Sequence, residues 1–343
     1  MGFISLSVRL LMNLESLNSV ETIGSLVRHR TAPIAVPVDE GFVLRFVPVI
    51  SGESIAHAYQ EMLVKEALRL NLPVGVYSRR GEFVKFADDR FMQKEGVKPP
   101  QNENDILRAE VDVLLKDIVA DIGGFLYAGD YSIKRTSRFQ VGYMIPALKE
   151  VDVAALEAQF HVRMVPSHAK EKGKKGLAPP QAPFNVEVGS AVYTFTFNLD
   201  VDGIAEPSTK FGNVEDEKLE QLRKQKSTRV KVAITSLVEL LSSMEFGAKR
   251  TRFLPNTELL SAVLAYSENG QFVVSPGNSK DYISLTLKRS NGYLKTLKSL
   301  GYDDVKVELI AVDREKATKD VEINTVETIE DLLGWIAGKV LIE

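Results

Sequence analysis

Between Phe3 and Met12 the chain alternates Ile4, Leu6, Val8 and Leu10 with Ser5, Ser7 and Arg9. Period-two alternation puts the first set on one face of a strand and the second on the other, so the chain opens with a half-buried strand. A polar cluster of Asn13, Glu15 and Asn18 follows, then the run Arg28-His29-Arg30-Thr31-Ala32-Pro33 and the β-former-rich segment Phe42 to Ile50, read as a second strand. Ser51-Gly52-Glu53-Ser54-Ile55-Ala56-His57 starts a helix with an apolar stripe at Ala56, Tyr59, Leu63, Ala67 and Leu70, stopped by Asn71-Leu72-Pro73. The first turn of a helix leaves N–H groups unpaired at the positive end of its dipole, so a basic loop ahead of it suits an anion, and Gly52 would let a ligand backbone come close. Ser51 or Ser54 acting as a plain helix cap accounts for the same residues without a ligand. His57 lies off the stripe and lines up with Val64 and Leu68, which predicts a second buried face.

Residues 78–103 change character and read as an inserted excursion. Helical periodicity returns at Leu107, Val111, Leu114, Ile118 and Ile122, closed by Gly123-Gly124. A basic segment around Lys134, Arg135 and Arg138 leads into an apolar one, and a short helix is predicted at Val153 to Ala158. In the strand Gln159 to Met164, alternation puts His161 and Arg163 on one face. Residues 165–183, rich in lysine, glycine and proline without hydrophobic periodicity, are expected to form a mobile loop. Ala191 to Leu199 is the clearest strand, with Tyr193, Phe195 and Phe197 on one face. Those aromatics invite comparison with an RNA-stacking strand, but the Lys/Arg-Gly-aromatic lead is absent and a core role is the simpler reading. A long helix spans 215–245. The loop Phe246-Gly247-Ala248-Lys249-Arg250-Thr251-Arg252 and a strand at 258–266 follow; a strand at Tyr282 to Leu287, a helix at Tyr293 to Leu300, a strand at Val305 to Val312 and a helix at Thr328 to Ala337 end the chain.

Strand, helix, strand occurs twice in this order. It predicts an α+β fold with a ferredoxin-like or RRM-like core made of strand 3–12, helix 53–70, strands 159–164 and 191–199, helix 216–245 and strand 258–266. The whole chain, 1–343, is then one unit with a core of about 1–72, 151–164 and 184–270. An inserted helical lobe occupies 73–150, the basic loop 165–183, and a C-terminal extension 271–343.

The absence of cysteine excludes disulfides, thiolate metal sites and a cysteine nucleophile. Histidines at 29, 57, 161 and 168 make no metal-binding pair, and no phosphate-binding, dinucleotide or serine-hydrolase motif occurs. Phe3 to Met12 is too short for a membrane span and lacks the flanks of a signal peptide, so it is read as neither an anchor nor a signal peptide; the absence of cysteine makes the cytoplasm the simplest expectation. With 43 basic and 46 acidic residues the overall balance of −3 gives no support for polyanion binding. Any such surface is local, in the runs at Lys134–Arg138, Arg163–Lys175 and Lys249–Arg252, while acidic residues gather at 200–220 and beyond 303.

The Asn13-x-Glu15-x-x-Asn18 cluster, the Arg28-to-Pro33 run, the Ser51-to-His57 helix start, Phe160-His161-Val162-Arg163 and the 246–252 loop resemble, in this order, the CRISPR-associated autoregulator (DevR-like) family. The loop carries one glycine, a departure that bears on its tightness. The resemblance implies the repeated backbone subunit of an archaeal type I-A Cascade antiviral complex. Such a subunit binds CRISPR RNA without reading its sequence and self-associates into a helical filament. It presents the guide for pairing with target DNA, beside a smaller Cascade subunit of the CRISPR-associated five family. It further implies no enzymatic activity, no cofactor and no metal. RNA contacts are expected from Asn18, Arg28, His29, Arg30, Ser51, Gly52, Ser54, His57, Arg138, His161, Arg163, Gly247, Lys249, Arg250 and Arg252. The rival reading is a metal-independent CRISPR-repeat endoribonuclease, with His29, His57 or His161 as general acid or base.

Overall fold

The computed structural model describes residues 2–164, 181–318 and 321–341. β1 (Gly2–Glu15) leads into two hairpins, β2 (Ser19–Ile23) with β3 (Leu26–His29) and β4 (Thr31–Val38) with β5 (Gly41–Pro48). Helix α1 (Gly52–Arg69) is followed by a lobe holding α2 (Asp89–Lys94), α3 (Ile106–Lys116), α4 (Ile118–Gly123) and the hairpin β6 (Phe125–Tyr127) with β7 (Ile133–Arg135). Short strands β8 (Phe139–Val141) and β9 (Ile145–Pro146) return the chain to the main sheet. Then come β10 (Ala155–Met164), β11 (Gln181–Asp200), α5 (Asp216–Lys224), α6 (Lys226–Ser243) and β12 (Asn256–Glu268). α7 (Tyr282–Ser299), β13 (Lys306–Asp313), β14 (Asn324–Val326) and α8 (Ile329–Val340) complete the described chain.

The fold is mixed α+β. Its sheet centres on the order β12–β1–β11–β10 with every neighbouring pair antiparallel, extended by β13 and β14 past β12 and by β3 and β2 along β11. Ile4, Leu6, Val8, Leu10 and Met12 are fully buried on the face that receives α1, α6 and α8, and burying each such side chain contributes about 1.5–3 kcal/mol. Tyr193, Phe195 and Phe197 stand opposite Leu10, Val8 and Leu6 in the ladder and are buried with them. Tyr59 of α1 packs edge-on against Phe197 at 5.1 Å between ring centres, and its hydroxyl donates to the Ala233 carbonyl of α6 at 2.9 Å. The aligned aromatics are core.

The other face of β1 is also buried, where alternation alone predicted a half-exposed strand. Ser5 Oγ accepts the amide of Val274, and Ser7 Oγ that of Gly277, each at 3.1 Å. Arg9, wholly enclosed, donates to the Gly277 carbonyl at 2.8 Å and pairs with Glu315 at 2.8 Å and Glu150 at 3.2 Å. Polar residues on a strand therefore mark a second covered face here, sealed by the segment before α7.

Several predicted elements differ. The helix read through 107–122 breaks at Asp117, which leaves helical geometry (φ −147°, ψ 110°) to cap α4 through the Val119 amide while accepting the Ser78 hydroxyl. The helix at 215–245 turns at Gln225, where a tight Gln225 N–H to Leu222 carbonyl bond ends α5. Residues 282–287 are helix rather than strand: Ile283, Leu285 and Leu287 alternate, but the buried set is Tyr282, Ile283, Thr286 and Ser290, at helical spacing. The predicted helix at Val153 to Ala158 is a 3₁₀ turn ending at Val153 and then β10, because the chain pairs with β11 from Ala155 onward. Thr31–Val38, whose first residues belong to the run Arg28 to Pro33 read as a basic loop, is a strand. Its partner β5 carries Phe42, Leu44 and Phe46 at 75%, 63% and 72% exposure. The loop expected at 165–183 lies outside the described residues as far as 180, and 181–183 belong to β11.

Candidate nucleic-acid interface

β1 does not end as a regular strand. Its pairing shifts register between Met12 and Glu15, with Leu14 in left-handed geometry (φ 58°), and this bulge turns the chain into residues 16–18. Those residues meet two other segments. Asn18 Oδ1 accepts the Ser51 amide at 2.7 Å, tying the loop to the start of α1, and the Asn18 carbonyl accepts the Arg30 amide at 2.9 Å. The Leu17 carbonyl accepts the Ala248 amide at 2.7 Å, tying it to the loop after α6. Gly247 lies flat on Leu17. Its φ of 80° and the 2.6 Å that would separate a Cβ from the Leu17 carbonyl oxygen both require glycine, so one glycine suffices for the tight approach.

The three segments enclose an open cleft of about 510 Å³ lined by Asn18, Ser54, His57, Glu61, Gly247 and Arg250 among others. Five of the residues expected to touch RNA, Asn18, Ser54, His57, Gly247 and Arg250, thus come together from positions far apart in the chain. His57 is exposed rather than on a buried face; its ring meets the edge of Phe83 at 5.0 Å and its Nε2 stands 3.4 Å from Glu61. Arg250 donates to the Ser243 carbonyl at 3.1 Å, 3.9 Å from Glu245, and its buried Nε has no hydrogen-bond partner among the described residues. Lys249, the residue before it, is in left-handed geometry (φ 57°), its ammonium pKa lowered by burial, and Arg252 is exposed. Neither makes an ion pair among the described residues, which leaves their charge available to an anion.

Other expected residues sit elsewhere. Ser51 is buried and caps α1, its Oγ accepting the Ser54 amide at 3.3 Å. Gly52 is buried too, and a Cβ there would lie 2.8 Å from the Val141 carbonyl oxygen, so packing against β8 requires this glycine rather than a ligand. His29 is buried, flanked by half-buried Arg28 and Arg30. Arg138 lies at the opposite end of β1, about 40 Å away along a strand of this length, paired with Asp200 at 3.2 Å and hydrogen-bonded to Ser208 at 2.9 Å. Burial and the neighbouring Arg135 charge lower its pKa. His161 is wedged between Phe184, stacked at 5.3 Å, and Phe253, next after the 246–252 loop, edge-on at 5.4 Å. Arg163 stands opposite Ala182 in the β10–β11 ladder, with its side chain outside the described residues.

Sequence reading missed Glu61, Phe83 and Phe253, none of which carries a local signature; each matters through a contact made across the fold. No group of three or more metal-ligating side chains occurs among the described residues, and no helix there is long and apolar enough to cross a membrane.

The model of the family described as CRISPR-associated negative auto-regulator DevR/Csa2 matches residues 6–287. Over 287 residues the chain is 50% identical to the CRISPR-associated aCascade subunit Cas7/Csa2 2 of Saccharolobus solfataricus, an alignment covering 83% of this chain and 86% of that protein. It is 35% identical over 297 residues to the CRISPR-associated protein Cas7/Csa2 1 of the same organism, covering 86% and 89%. Among solved structures, a chain of a CRISPR RNA-guided surveillance complex in a pre-nicking state aligns over 98% of this chain and 100% of its own, with a TM-score of 0.50 at 10% identity, a likeness of fold alone. By the extent of these matches, the chain belongs to the CRISPR-associated DevR/Csa2 family.

Proposed function

We propose that this chain is a CRISPR RNA-binding backbone subunit of an archaeal type I-A Cascade complex, acting in the cytoplasm. It grips the sugar-phosphate backbone of single-stranded guide RNA and leaves the bases free to pair with target DNA. The observation that carries the reading is the cleft at the end of β1, which Arg250 lines with Asn18, Ser54 and His57, Lys249 and Arg252 being its neighbours on the same glycine-tightened loop. Long cations on a loop contact phosphates without reading sequence, which suits a subunit that must accept any spacer. Arg28, Arg30, His161 and Arg163 extend this surface in the proposal. His29, Ser51 and Gly52 support it from beneath, and Arg138 is left outside it.

The strand order β12–β1–β11–β10, with α1 and α6 on one face, supports a ferredoxin-like core. With it goes the proposed division into a core at about 1–72, 151–164 and 184–270, an inserted lobe at 73–150, the 165–183 loop and an extension from 271. Because the extension seals the second sheet face, RNA is held at the sheet's end rather than stacked on its surface. Self-association along the guide is supported by the β4–β5 hairpin, whose alternate Phe42, Leu44 and Phe46 are far more exposed than isolated surface apolar residues need be. The smaller Cascade subunit is the further partner in this reading. The subunit acts by binding alone.

Titrating two unrelated single-stranded RNAs of equal length in EDTA, with electron microscopy of the mixtures, tests this. Comparable affinities, intact RNA and filaments are expected. A hundredfold preference, about 2.7 kcal/mol, or specific cuts that vanish in His57→Ala would overturn it.

A further inference from the structure

Directly beneath the cleft lies a cluster of ionisable side chains shut off from solvent. The side chains of Glu15 and His29 are both 0% exposed, with His29 Nε2 2.7 Å from Glu15 Oε1. The Tyr193 hydroxyl donates to the same oxygen at 2.8 Å, and the Leu17 amide donates to Glu15 Oε2 at 2.8 Å. On the other side of the ring, His29 Nδ1 lies 2.8 Å from the Arg30 carbonyl oxygen. A carbonyl only accepts, so Nδ1 carries a hydrogen. Nε2 makes no well-aligned hydrogen bond, but a bare ring lone pair 2.7 Å from a carboxylate oxygen would be repelled, so this contact calls for a proton on Nε2 as well. The arrangement is that of an imidazolium held against a carboxylate.

The fold is shaped for this pair. The bulge after Met12 turns Glu15 inward, and Gly189 of β11 makes the room, since a Cβ there would lie 2.5 Å from Glu15 Oε1. The charged and titratable groups facing His29 are Glu15 from β1 and Tyr193 and Glu187 from β11, the last accepting the His29 amide at 2.8 Å, with Arg28 and Arg30 flanking it in the chain. Burial opposes a charged ring, but the Glu15 contact, the Arg30 carbonyl and the field of Glu187 outweigh it and hold the His29 pKa above the ordinary histidine value. Burial, with the adjacent Glu15 charge, raises the Tyr193 phenol well above its usual value, so the phenol stays a donor.

We propose that Glu15 and His29 are positioning residues for the guide-strand cleft, the proton at His29 Nε2 locking residues 15–18 into the geometry that sets the start of α1 and the 247–250 loop. The links are short: Glu15 holds the Leu17 amide, the Leu17 carbonyl holds Ala248, and Asn18 holds Ser51 and Arg30. Losing that proton sets a carboxylate oxygen against a ring lone pair and loosens all three segments at once. Since the folded pKa is raised, the contribution is complete below about pH 6.5 and is lost as pH rises through the higher folded value. The inference rests on the RNA-binding reading of the cleft.

The Glu15→Gln variant separates proton from shape. An amide oxygen still accepts from Leu17 and its NH2 donates to a neutral His29 ring, while the Tyr193 hydroxyl loses its acceptor; the melt reads that cost, and the proton dependence goes. Single-stranded RNA affinity is measured from about pH 6 to pH 9 for the unmodified protein, Glu15→Gln and Arg250→Ala, with a melt of each at the lowest pH. The unmodified protein is expected to lose at least about threefold more affinity over that range than Glu15→Gln. Superimposable pH profiles, with Arg250→Ala weakened, overturn the positioning role alone; an Arg250→Ala protein that binds like the unmodified one overturns the RNA reading with it. Nitrogen NMR of the histidine-labelled, unmodified chain is an independent check if Glu15→Gln fails to fold. A doubly protonated His29 ring at about pH 6 is expected, and a neutral ring there overturns the proposal.

Discussion

At the Phe3 end of β1, three arginines are paired with carboxylates, although the buried Nε of Arg138 has no hydrogen-bond partner among the described residues. Arg135 and Arg229, both with fully buried side chains, close on Asp121, Arg229 at 2.7 Å, and Arg135 reaches Glu110 at 3.2 Å; Arg138 holds Asp200 at 3.2 Å. At the Asn18 end, Lys249 and Arg252 make no ion pair among the described residues, and the nearest carboxylate to Arg250 is 3.9 Å away. The first group joins the inserted lobe to α6 and to the loop after β11, with the Ser208 and Thr209 amides also donating to Glu110 at 2.7 and 2.8 Å. A charge taken out of water must be paired on the spot, whereas a charge meant for a ligand must keep donors unused. Two basic runs that look alike in the sequence, Lys134 to Arg138 and Lys249 to Arg252, therefore differ in pairing: carboxylates of the fold take Arg135 and Arg138, while Lys249 and Arg252 have no ion-pair partner among the described residues, as the proposed grip on RNA requires.

The sharpest way to break this comparison is to remove one partner from the buried group. Arg229→Met leaves Asp121 short of a charge it needs, which typically costs about 3–5 kcal/mol. A thermal melt is expected to show a fall of at least about 5 °C, while the folded protein at room temperature keeps its RNA affinity. An unchanged melt, or RNA binding lost from protein that is still folded, contradicts the structural role assigned to this end.

The second test reverses the roles. The triple change Lys249→Ala, Arg250→Ala, Arg252→Ala is expected to flatten the log–log salt dependence of RNA binding by about two units, since each phosphate contact to a single strand contributes about 0.7. Stability is expected to move by less than about 1 kcal/mol per residue, as loop charges do. Binding measured at three or more salt concentrations decides it. A slope equal to that of the unmodified protein makes these residues ordinary solvated charges, and a large fall in melting temperature makes the loop structural.

The contrast also marks what the sequence could convey. β1, α1, β12 and β13 announce themselves by periodicity, because one face of each packs on the main core and the repeat is local. α7 did not, because Ile283, Leu285 and Leu287 mimic a strand until burial by Tyr282, Thr286 and Ser290 is seen. The cleft was half legible. Its loops were named in advance, yet a run of basic letters carries no record of which carboxylates the fold will bring to it. Glu15 shows the same limit from the other side: it stood in a recognised polar cluster, but its burial depends on a bulge and on Gly189, 174 positions away in the chain. His29 and Arg138 were expected at the RNA from the family resemblance; the fold buries the first beneath the cleft and places the second at the far end of the sheet.

Arg138 makes the smallest and most discriminating test. It was grouped with the RNA-contacting cations by sequence, it is only 16% exposed, and its two terminal nitrogens donate to Asp200 and Ser208 while its buried Nε has no partner among the described residues. In Arg138→Gln the amide can still donate towards Asp200, and the arginine lost is one that borders the Asp121 cluster without belonging to its innermost contacts. A melting change near the scale of a partly exposed pair, about 1 kcal/mol or less, is expected, with RNA affinity and salt slope matching the unmodified protein. Parallel titrations of this variant and the triple loop variant make the comparison direct. If Arg138→Gln lowers the salt slope by about 0.7, the guide strand reaches the Phe3 end of the sheet, and the paired arginines there open to receive it. If the slope is unmoved while the loop variant flattens, pairing within the fold is what separates a structural cation from a binding one.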